Sequence, residues 1–160
     1  MNTVFRVSAR QRLIITGQAM QTLRSFAQRR TSQCEAGGVL LGRHLLESAN
    51  VVVDEVTTPQ MADKRSRFGF FRSRRHEAIA RERWSAEKGT FAYLGLWHTH
   101  PEQDPTPSFV DRLDWQRAVV SDVYEGNLLF FLIVGTLNVR VWCVNRRGHC
   151  RALKELTRHD

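Results

Sequence analysis

Two histidines, a serine and an aspartate are closely spaced in the segment HTHPEQDPTPSFVD, residues 98–111. His98 and His100 are two residues apart, and Asp111 follows Ser108 by three. Two imidazole nitrogens and one carboxylate oxygen form the shell of a catalytic zinc site, which leaves a fourth position for water. Because zinc lowers the pKa of such a water to about 7, this segment could support hydrolysis at neutral pH.

The elements predicted around this segment would bring the three ligands together. Residues 91–100 are mostly apolar and predict a buried strand, in which positions i and i+2 point to the same side. Residues 105–122 predict a helix with Thr106 as its N-cap and Pro107 at its first position. The serine and the aspartate of the motif would share one face of this helix. Since the helix begins close to the end of the strand, the aspartate can return to the histidines.

A hydrolase of this kind also needs a general base, and Glu35 is the best candidate. It lies just before a Gly-Gly pair at the start of a predicted strand, which is an unusual position for a solvated charge. Its carboxylate could accept a proton from water and pass it to a leaving amine, while Ser108 could donate a hydrogen bond to an oxyanion. We therefore predict Glu35 and Ser108 as catalytic residues and His98, His100 and Asp111 as metal ligands.

Each part of this pattern has a simpler interpretation when it stands alone. Alternate histidines in a strand are commonly surface or core residues, and Ser-x-x-Asp also matches a helix capping box. Trp97 could pack beneath a metal site or belong to the core, and the apolar strand around it favours the core. We interpret three further histidines, His44, His76 and His149, as surface residues. The combination of the parts, rather than any one of them, favours a metal site.

Apolar periodicity and turn residues predict the other elements of a mixed sheet flanked by helices. Strands are expected at residues 12–17, at two segments within 34–59 that turn near 47–50, at 67–73, and in a hairpin within 128–145 that turns at 136–137; helices are expected at 18–30 and 74–89, and the tail from residue 150 is a short strand or helix. The expected class is α/β or α+β, in one domain over residues 1–160.

The composition is that of a globular domain, with 160 residues, 42% hydrophobic and 25% charged. No apolar run approaches the ~20 residues that a membrane-spanning helix needs. The N-terminal residues lack the apolar core of a signal peptide. We therefore expect a cytoplasmic protein that does not interact with membranes.

The net charge of +8 is concentrated in the segment KRSRFGFFRSRR, residues 64–75, which has six basic residues, three phenylalanines and no acid. Basic residues interleaved with aromatic ones suit a nucleic-acid surface. The segment could equally be a strand whose basic edge is solvated and protected against pairing, or a docking surface for an acidic protein. Because no nucleic-acid-binding motif accompanies it, nucleic acid is not the expected partner.

The motif resembles that of the JAMM (Mov34/MPN/PAD-1) metalloproteases: a glutamate, then His-x-His, seven residues, a serine, two residues and an aspartate. All of its elements are present, as Glu35, His98, His100, Ser108 and Asp111. The resemblance implies one zinc ion per chain, held by the two histidines and the aspartate, with the glutamate as acid and base and the serine at the oxyanion. It implies a curved mixed β-sheet flanked by helices, similar to the deaminase fold, over residues 12–145.

The implied reaction is hydrolysis of the amide or isopeptide bond that follows the C-terminal tail of a conjugated protein. EAGGVLLGR, WHTHPEQDPTPSFVD and Trp115 resemble the small JAMM proteins of bacterial anti-phage CBASS operons. The implied substrate is then a cGAS-like nucleotidyltransferase, or another ubiquitin-like conjugate, that an E1–E2-like protein of the same operon has attached to its targets.

The extended tail of such a substrate would need a sheet edge, and residues 68–72 are the candidate for it. We predict Phe68, Phe70, Arg72 and Arg74 as substrate-binding residues. Two alternatives use the same motif: processing of a ubiquitin-like sulfur carrier, and a RadC-like protein associated with nucleic acid, which the positive charge would suit.

Overall fold

The computed structural model describes residues 1–157, which form three helices and eleven strands. The helices are α1 (Gly17–Ser25), α2 (Arg75–Ala86) and α3 (Phe109–Ser121). The strands are β1 (Thr3–Arg6), β2 (Arg12–Ile15), β3 (Gly37–His44), β4 (Val51–Val56), β5 (Lys64–Ser66), β6 (Gly69–Phe71), β7 (Ala92–Thr99), β8 (Leu128–Val134), β9 (Val139–Asn145), β10 (Cys150–Ala152) and β11 (Lys154–Glu155).

Nine of these strands form one mixed sheet in the order β10-β9-β8-β7-β3-β4-β2-β1-β11. The pairs β7–β8 and β2–β4 are parallel, and the other neighbours are antiparallel. The two edge strands β10 and β11 are separated in the chain by Leu153 alone, so the sheet must curl until its edges meet around this buried residue. The predicted curved mixed sheet with flanking helices is therefore confirmed.

Strand β7 lies beside the central strand β3 of the sheet; it contains His98, and His100 follows directly after its last residue, Thr99. Its side chains alternate between the two cores that cover the faces of the sheet, except at a register shift between Tyr93 and Gly95, which places Tyr93 and His98 on the same face. Trp97 is fully buried in one core, where its ring centroid is 5.7 Å from that of Phe26. Trp97 is therefore a core residue, as the apolar strand indicates, and His98 points to the opposite face. That face is covered by α3, through Trp115, and by α2.

Three predicted helix boundaries are wrong. Helix α2 ends at Ala86 rather than at Gly89, because Lys88 and Gly89 have positive φ and cannot continue the helix. Helix α1 ends at Ser25, before the basic residues expected at its C-terminus, because the next turn folds inward and buries Gln28, whose amide donates to the carbonyls of Gln33 and Arg67. Helix α3 begins after Ser108 rather than after Thr106. A cap at Ser108 can form reciprocal bonds with an acidic residue three positions later, which a cap at Thr106 cannot.

The strand predicted at residues 67–73 is half of a separate hairpin. β5 and β6 pair with each other and form a two-stranded sheet outside the large one. The substrate-binding residues predicted from Phe68 to Arg72 therefore do not lie on an edge of the main sheet. The turn end of the hairpin is held beside the start of β3, since the Glu35 N–H donates to the carbonyl of Ser66 (2.7 Å).

No helix within residues 1–157 is both long enough and apolar enough to cross a bilayer. That residues 1–160 form one domain stays a prediction.

Candidate active site

The ligand atoms predicted for the metal converge where β7 ends and α3 begins. The Nε2 atoms of His98 and His100 are 3.0 Å apart. Asp111 Oδ1 is 3.2 Å from His98 Nε2, and Asp111 Oδ2 is 3.0 Å from His100 Nε2. Within residues 1–157 these three residues form the cluster that could hold a metal ion, and both histidines are buried. The strand and the helix together therefore assemble two imidazoles and one carboxylate around a single point.

Asp111 is held in place by the cap of its own helix. The Ser108 N–H donates to Asp111 Oδ2 (2.8 Å), and the Asp111 N–H donates to Ser108 Oγ (3.1 Å). This is a capping box, so the simpler interpretation of Ser-x-x-Asp is also true. The two roles are compatible, because the same carboxylate accepts the cap bond and faces both histidines. The cap fixes the carboxylate in the rotamer that a metal would need.

The hydrogen bonding of His100 tests whether the cluster fits a cation. Its Nδ1 lies 2.7 Å from the carboxylate of Glu102, which can only accept, so Nδ1 carries a proton. In the neutral imidazole Nε2 is then a lone-pair acceptor, and it faces the Asp111 carboxylate, which is another acceptor. Two facing acceptors need a positive charge between them. Zinc fits this donor set, in which a carboxylate also orients one of the histidine ligands.

The pKa shifts of His100 and Asp111 also indicate that a positive charge is favoured between these side chains. Burial opposes the charged form of His100, but its hydrogen bonds with Asp111 and Glu102 raise its pKa to about 9. Burial likewise opposes ionisation of Asp111, but hydrogen bonds with His100 and His98 hold its pKa far below the usual range. The ionised carboxylate therefore persists at neutral pH beside whichever cation, a proton or a metal, the histidines hold.

Glu35 is buried beside this cluster with 5% of its surface exposed. Burial raises its pKa to about 7; His100 opposes the increase and Asp111 adds to it. The main chain of Glu35 is fixed by the hairpin, since its carbonyl accepts from Arg65 Nε (2.7 Å). The next residue is fixed by the central strand, since the Ala36 N–H donates to Thr99 Oγ1 (2.9 Å). A rigidly placed carboxyl with a near-neutral pKa has the properties of a general base.

A groove of about 1730 Å³ leads away from the cluster along β7. Its floor follows the strand from His98 to Tyr93, and its walls are the hairpin with α2 on one side and α3 on the other. At the far end the Tyr93 hydroxyl donates to Asp122 (2.6 Å). Glu35 and Ser108 line the end that contains the cluster. The groove is open to an extended chain whose reacting bond would lie at the metal-binding end.

The four predicted substrate-binding residues line one wall of this groove: Phe68, Phe70, Arg72 and Arg74. Phe70 lies against the start of β3, where a Cβ on Gly37 would be 2.6 Å from its ring and 2.8 Å from the carbonyl of Trp97. Because Gly37, two residues after Glu35, has no side chain, the hairpin that forms this wall can lie close to β3. Arg72 reaches across to Asp114 on the opposite wall (3.1 Å).

Residues 18–146 match the family described as prokaryotic homologs of the JAB domain. The chain belongs to this family. Relatives named CD-NTase/cGAS isopeptidase are found in Vibrio cholerae, with 37% identity over 82% of this chain and 81% of the relative, and in Escherichia coli, with 30% identity over 79% and 78%. A Pseudomonas aeruginosa protein of the same name is 46% identical, and the alignment spans 61% of each chain.

The fold agrees with this assignment. The solution structure of a protein from Desulfitobacterium hafniense superimposes with a TM-score of 0.60, at 19% identity, over 89% of this chain and 88% of that one. The expectation of a JAMM-type protein is thus confirmed as membership of the JAB family, and its relatives carry the name of a hydrolase. The individual roles of the site residues stay predictions.

The motif did not reveal Glu102, although it lies only two residues after His100. A Glu102→Gln variant keeps the size of the side chain but weakens the bond that orients His100. We expect it to reduce zinc affinity by about 10–100-fold, the range usual for carboxylates that orient a metal ligand. Competition with a chromophoric chelator would measure this loss. Unchanged affinity would mean that Glu102 does not orient the ligand.

His76 is not the surface residue expected from its lack of sequence partners. It is 2% exposed, and its Nε2 donates to the buried carboxylate of Asp63 (2.8 Å). Its Nδ1 pairs with the Thr57 hydroxyl (2.6 Å), and the carbonyl of Thr57 accepts from Trp97 Nε1 (2.9 Å). This network joins the hairpin and α2 to β7, the strand that contains the candidate ligand His98. Of the other two histidines, His44 is half-buried and His149 is exposed.

Ser108 provides a second prediction, because its structural and catalytic roles can be separated. Its Oγ accepts the cap bond, which leaves its O–H free to donate into the groove. Ser108→Ala should lower kcat by about 10²–10³-fold, as loss of an oxyanion donor does, and should destabilise the fold by ~1 kcal/mol through loss of the cap. Ser108→Asp should keep the cap but not the donor. Restored stability with low kcat would support the oxyanion role, whereas restored kcat would contradict it.

Proposed function

We propose that this protein is a zinc-dependent isopeptidase that hydrolyses the bond after the C-terminal tail of a conjugated protein. The observation that carries the proposal is the convergence of His98, His100 and Asp111 beside the buried Glu35, at one end of a groove that can accommodate an extended chain. The relatives named CD-NTase/cGAS isopeptidase support a nucleotidyltransferase of that class as the conjugated protein. An E1–E2-like conjugating protein encoded nearby is the expected partner that makes the conjugate.

The proposed roles follow from the position of each group. A zinc ion held by His98, His100 and Asp111 would act as a Lewis acid and lower the pKa of water at the site. The Glu35 carboxylate takes the proton of the attacking water and later gives it to the amine nitrogen as the C–N bond breaks. The Ser108 hydroxyl donates to the oxygen that becomes negative during the attack. The acceptor protein leaves with its free amine, and the tail leaves as a carboxylate.

The hairpin provides the surface on which the tail would lie. β6 pairs with β5 along one edge, and among residues 1–157 its other edge has no strand partner. An extended tail can add to such an edge through main-chain hydrogen bonds, while Phe68, Phe70, Arg72 and Arg74 contact its side chains. The metal-binding cluster would then lie beyond the last residue of the tail.

Arg72 allows this arrangement to be tested. Arg72→Glu should raise KM for a tail substrate about tenfold or more, because it removes a contact to the tail and places two carboxylates together. The exchange variant R72E/D114R restores the ion pair but not a cation on the hairpin. A KM that stays high in the exchange variant would support contact between Arg72 and the tail. A KM that returns to the normal value would mean that Arg72 acts only through its ion pair with Asp114. Steady-state cleavage of a fluorescent tail peptide would supply these values.

The family fold also suits processing of a ubiquitin-like sulfur carrier, but the names of the relatives favour the nucleotidyltransferase. One experiment compares the two: the zinc-loaded protein is given a CD-NTase tail and a sulfur-carrier tail, each fused to the same folded reporter. We expect cleavage at the junction of the first fusion, loss of cleavage with a chelator, and recovery with added zinc. Preferential cleavage of the sulfur-carrier fusion would overturn the proposed substrate, and cleavage that persists in chelator would overturn the metal mechanism.

A further inference from the structure

Six exposed or half-exposed cations form one surface beside the candidate active site. We call this surface the basic platform; its residues are Arg24, Arg29, Arg30, Lys64, Arg65 and Arg67. The two segments that supply them, residues 24–34 and 64–76, contain no aspartate or glutamate. They are joined by hydrogen bonds from Arg67 to the carbonyls of Arg30 (3.2 Å) and Thr31 (2.9 Å). The platform is therefore one surface, although its residues come from distant parts of the chain.

The charges of the platform are not neutralised within residues 1–157. Arg65 and Arg67 are held by main-chain carbonyls, which fix a guanidinium without cancelling its charge. In the described part of the chain, none of the six has a carboxylate within the 4.0 Å of an ion pair, whereas Arg43 and Arg140 elsewhere do. Like charges placed together repel one another, so this arrangement costs stability. Such an unpaired positive surface suits an acidic partner.

The position of the platform indicates which of the two proteins in the conjugate would contact it. Gln28 accepts from the Thr99 hydroxyl (2.8 Å) at the end of β7, and Arg65 holds the main chain of Glu35. The platform thus lies at the metal-binding end of the sheet. The groove runs from this end in the other direction, toward Tyr93. If the tail occupies the groove, the protein on the amine side of the scissile bond is brought to the platform.

The surface chemistry of the platform suits a protein. Phe68 is 76% exposed at its border, and the guanidinium carbon of Arg67 lies 5.4 Å from the centre of its ring. Arginines and exposed aromatic rings are enriched in protein interfaces and among their strongest contacts. We propose that the basic platform docks an acidic face of the acceptor protein, the partner that carries the isopeptide-linked lysine. This inference rests on the proposed isopeptidase function and adds selection of the acceptor by charge.

The test compares three substrates that have the same tail but differ in the group on the amine side of the scissile bond. A CD-NTase tail is linked to a lysine of a negatively supercharged reporter protein, to a lysine of its positively supercharged counterpart, or to a small aminocoumarin. The variant R24E/R30E/K64E reverses three platform charges whose side chains hold no other segment in place within residues 1–157. With the acidic reporter we expect the unaltered protein to show a kcat/KM that falls as salt is added. In the platform variant we expect this kcat/KM to be lower by about tenfold or more, mainly through a higher KM, and to depend little on salt. For the aminocoumarin we expect less than a twofold change.

A matched control reverses three exposed arginines at the opposite end of the sheet, in R6E/R10E/R147E. It changes the net charge by the same amount and should leave the acidic reporter cleaved at nearly the normal rate. The inference is overturned if the two variants behave alike, or if the platform variant cleaves the acidic reporter normally. It is also overturned if the platform variant cleaves the acidic reporter normally but no longer shows salt-sensitive binding to a DNA duplex, because the platform would then bind nucleic acid. An unaltered protein that does not cleave the aminocoumarin tail would instead contradict the proposed function itself.

Discussion

Replacing Glu35 with glutamine is expected to lower kcat for tail cleavage by roughly 10²–10⁴-fold, the usual contribution of a general acid and base. The amide has nearly the same shape but cannot take a proton from water or return one to the amine. Because Glu35 is not among the three converging ligands, zinc should remain bound at one ion per chain. Single-turnover cleavage and metal analysis of the same sample would test both expectations. A matched control is Glu125→Gln, which changes a carboxylate in the groove that is not part of the cluster.

The same Glu35→Gln variant should be more stable than the unaltered protein when both are free of metal. Burial raises the pKa of Glu35 from 4.5 to about 7, so between these values the folded state holds a proton that the unfolded chain has released. The stability of the unaltered protein therefore falls as the pH rises through this window, and the cost is fully present above pH 7. We expect a gain on the order of 1 kcal/mol at pH 8 that vanishes toward pH 4. A variant that loses both activity and stability would point to misfolding.

Replacing Asp111 with asparagine should remove the metal while keeping the helix. Asparagine retains an oxygen that can accept the Ser108 N–H, but it removes the negative charge that faces both histidines. We expect zinc affinity to fall by more than the about 10–100-fold expected for Glu102, because a ligand is lost rather than its orientation. Cleavage should fall to background at micromolar zinc. Titration with zinc against a competing chelator would measure the affinity.

The Asp111→Ala variant separates the two functions of this carboxylate. It should lose zinc as the asparagine variant does, and should lose a further ~1 kcal/mol of stability because the cap bond is gone. Chemical denaturation of both variants in chelator would measure the difference. If Asp111→Asn binds zinc as tightly as the unaltered protein, the carboxylate is not a ligand and the metal centre must be assigned differently.

The local part of the site could be predicted because short-range geometry determines it. The alternation of β7 places His98 and His100 on one side, and three residues of helix place Ser108 and Asp111 together. Glu102 was not predicted, because the loop that turns it back to His100 has no periodicity. The first helical residue was misplaced for a related reason: Thr106 and Ser108 are both good N-caps, and only the partner Asp111 decides between them.

Long-range pairing could not be predicted from periodicity. Residues 67–73 were predicted as a strand, but their pairing in a separate hairpin and the contact of that hairpin with Glu35 through Ser66 join parts of the chain that are far apart in the sequence. The sequence neighbours of His76, Arg75 and Glu77, are both charged and predict an exposed position. Its partners Thr57 and Asp63 are brought to it only by the folded loops. The basic segment was left with three interpretations because its neighbours in space, residues 24–34, were unknown.

The most direct measurement is the intact mass of both products from a lysine-linked conjugate. A CD-NTase would be joined through its C-terminus to a lysine of an acceptor protein and incubated with the zinc-loaded enzyme. We expect two masses: the nucleotidyltransferase with a free C-terminal carboxylate, and the acceptor with an unmodified lysine. Neither should appear with chelator or with Glu35→Gln. An uncleaved conjugate, or a cut within the tail rather than at the isopeptide bond, would contradict the assignment of this protein as an isopeptidase.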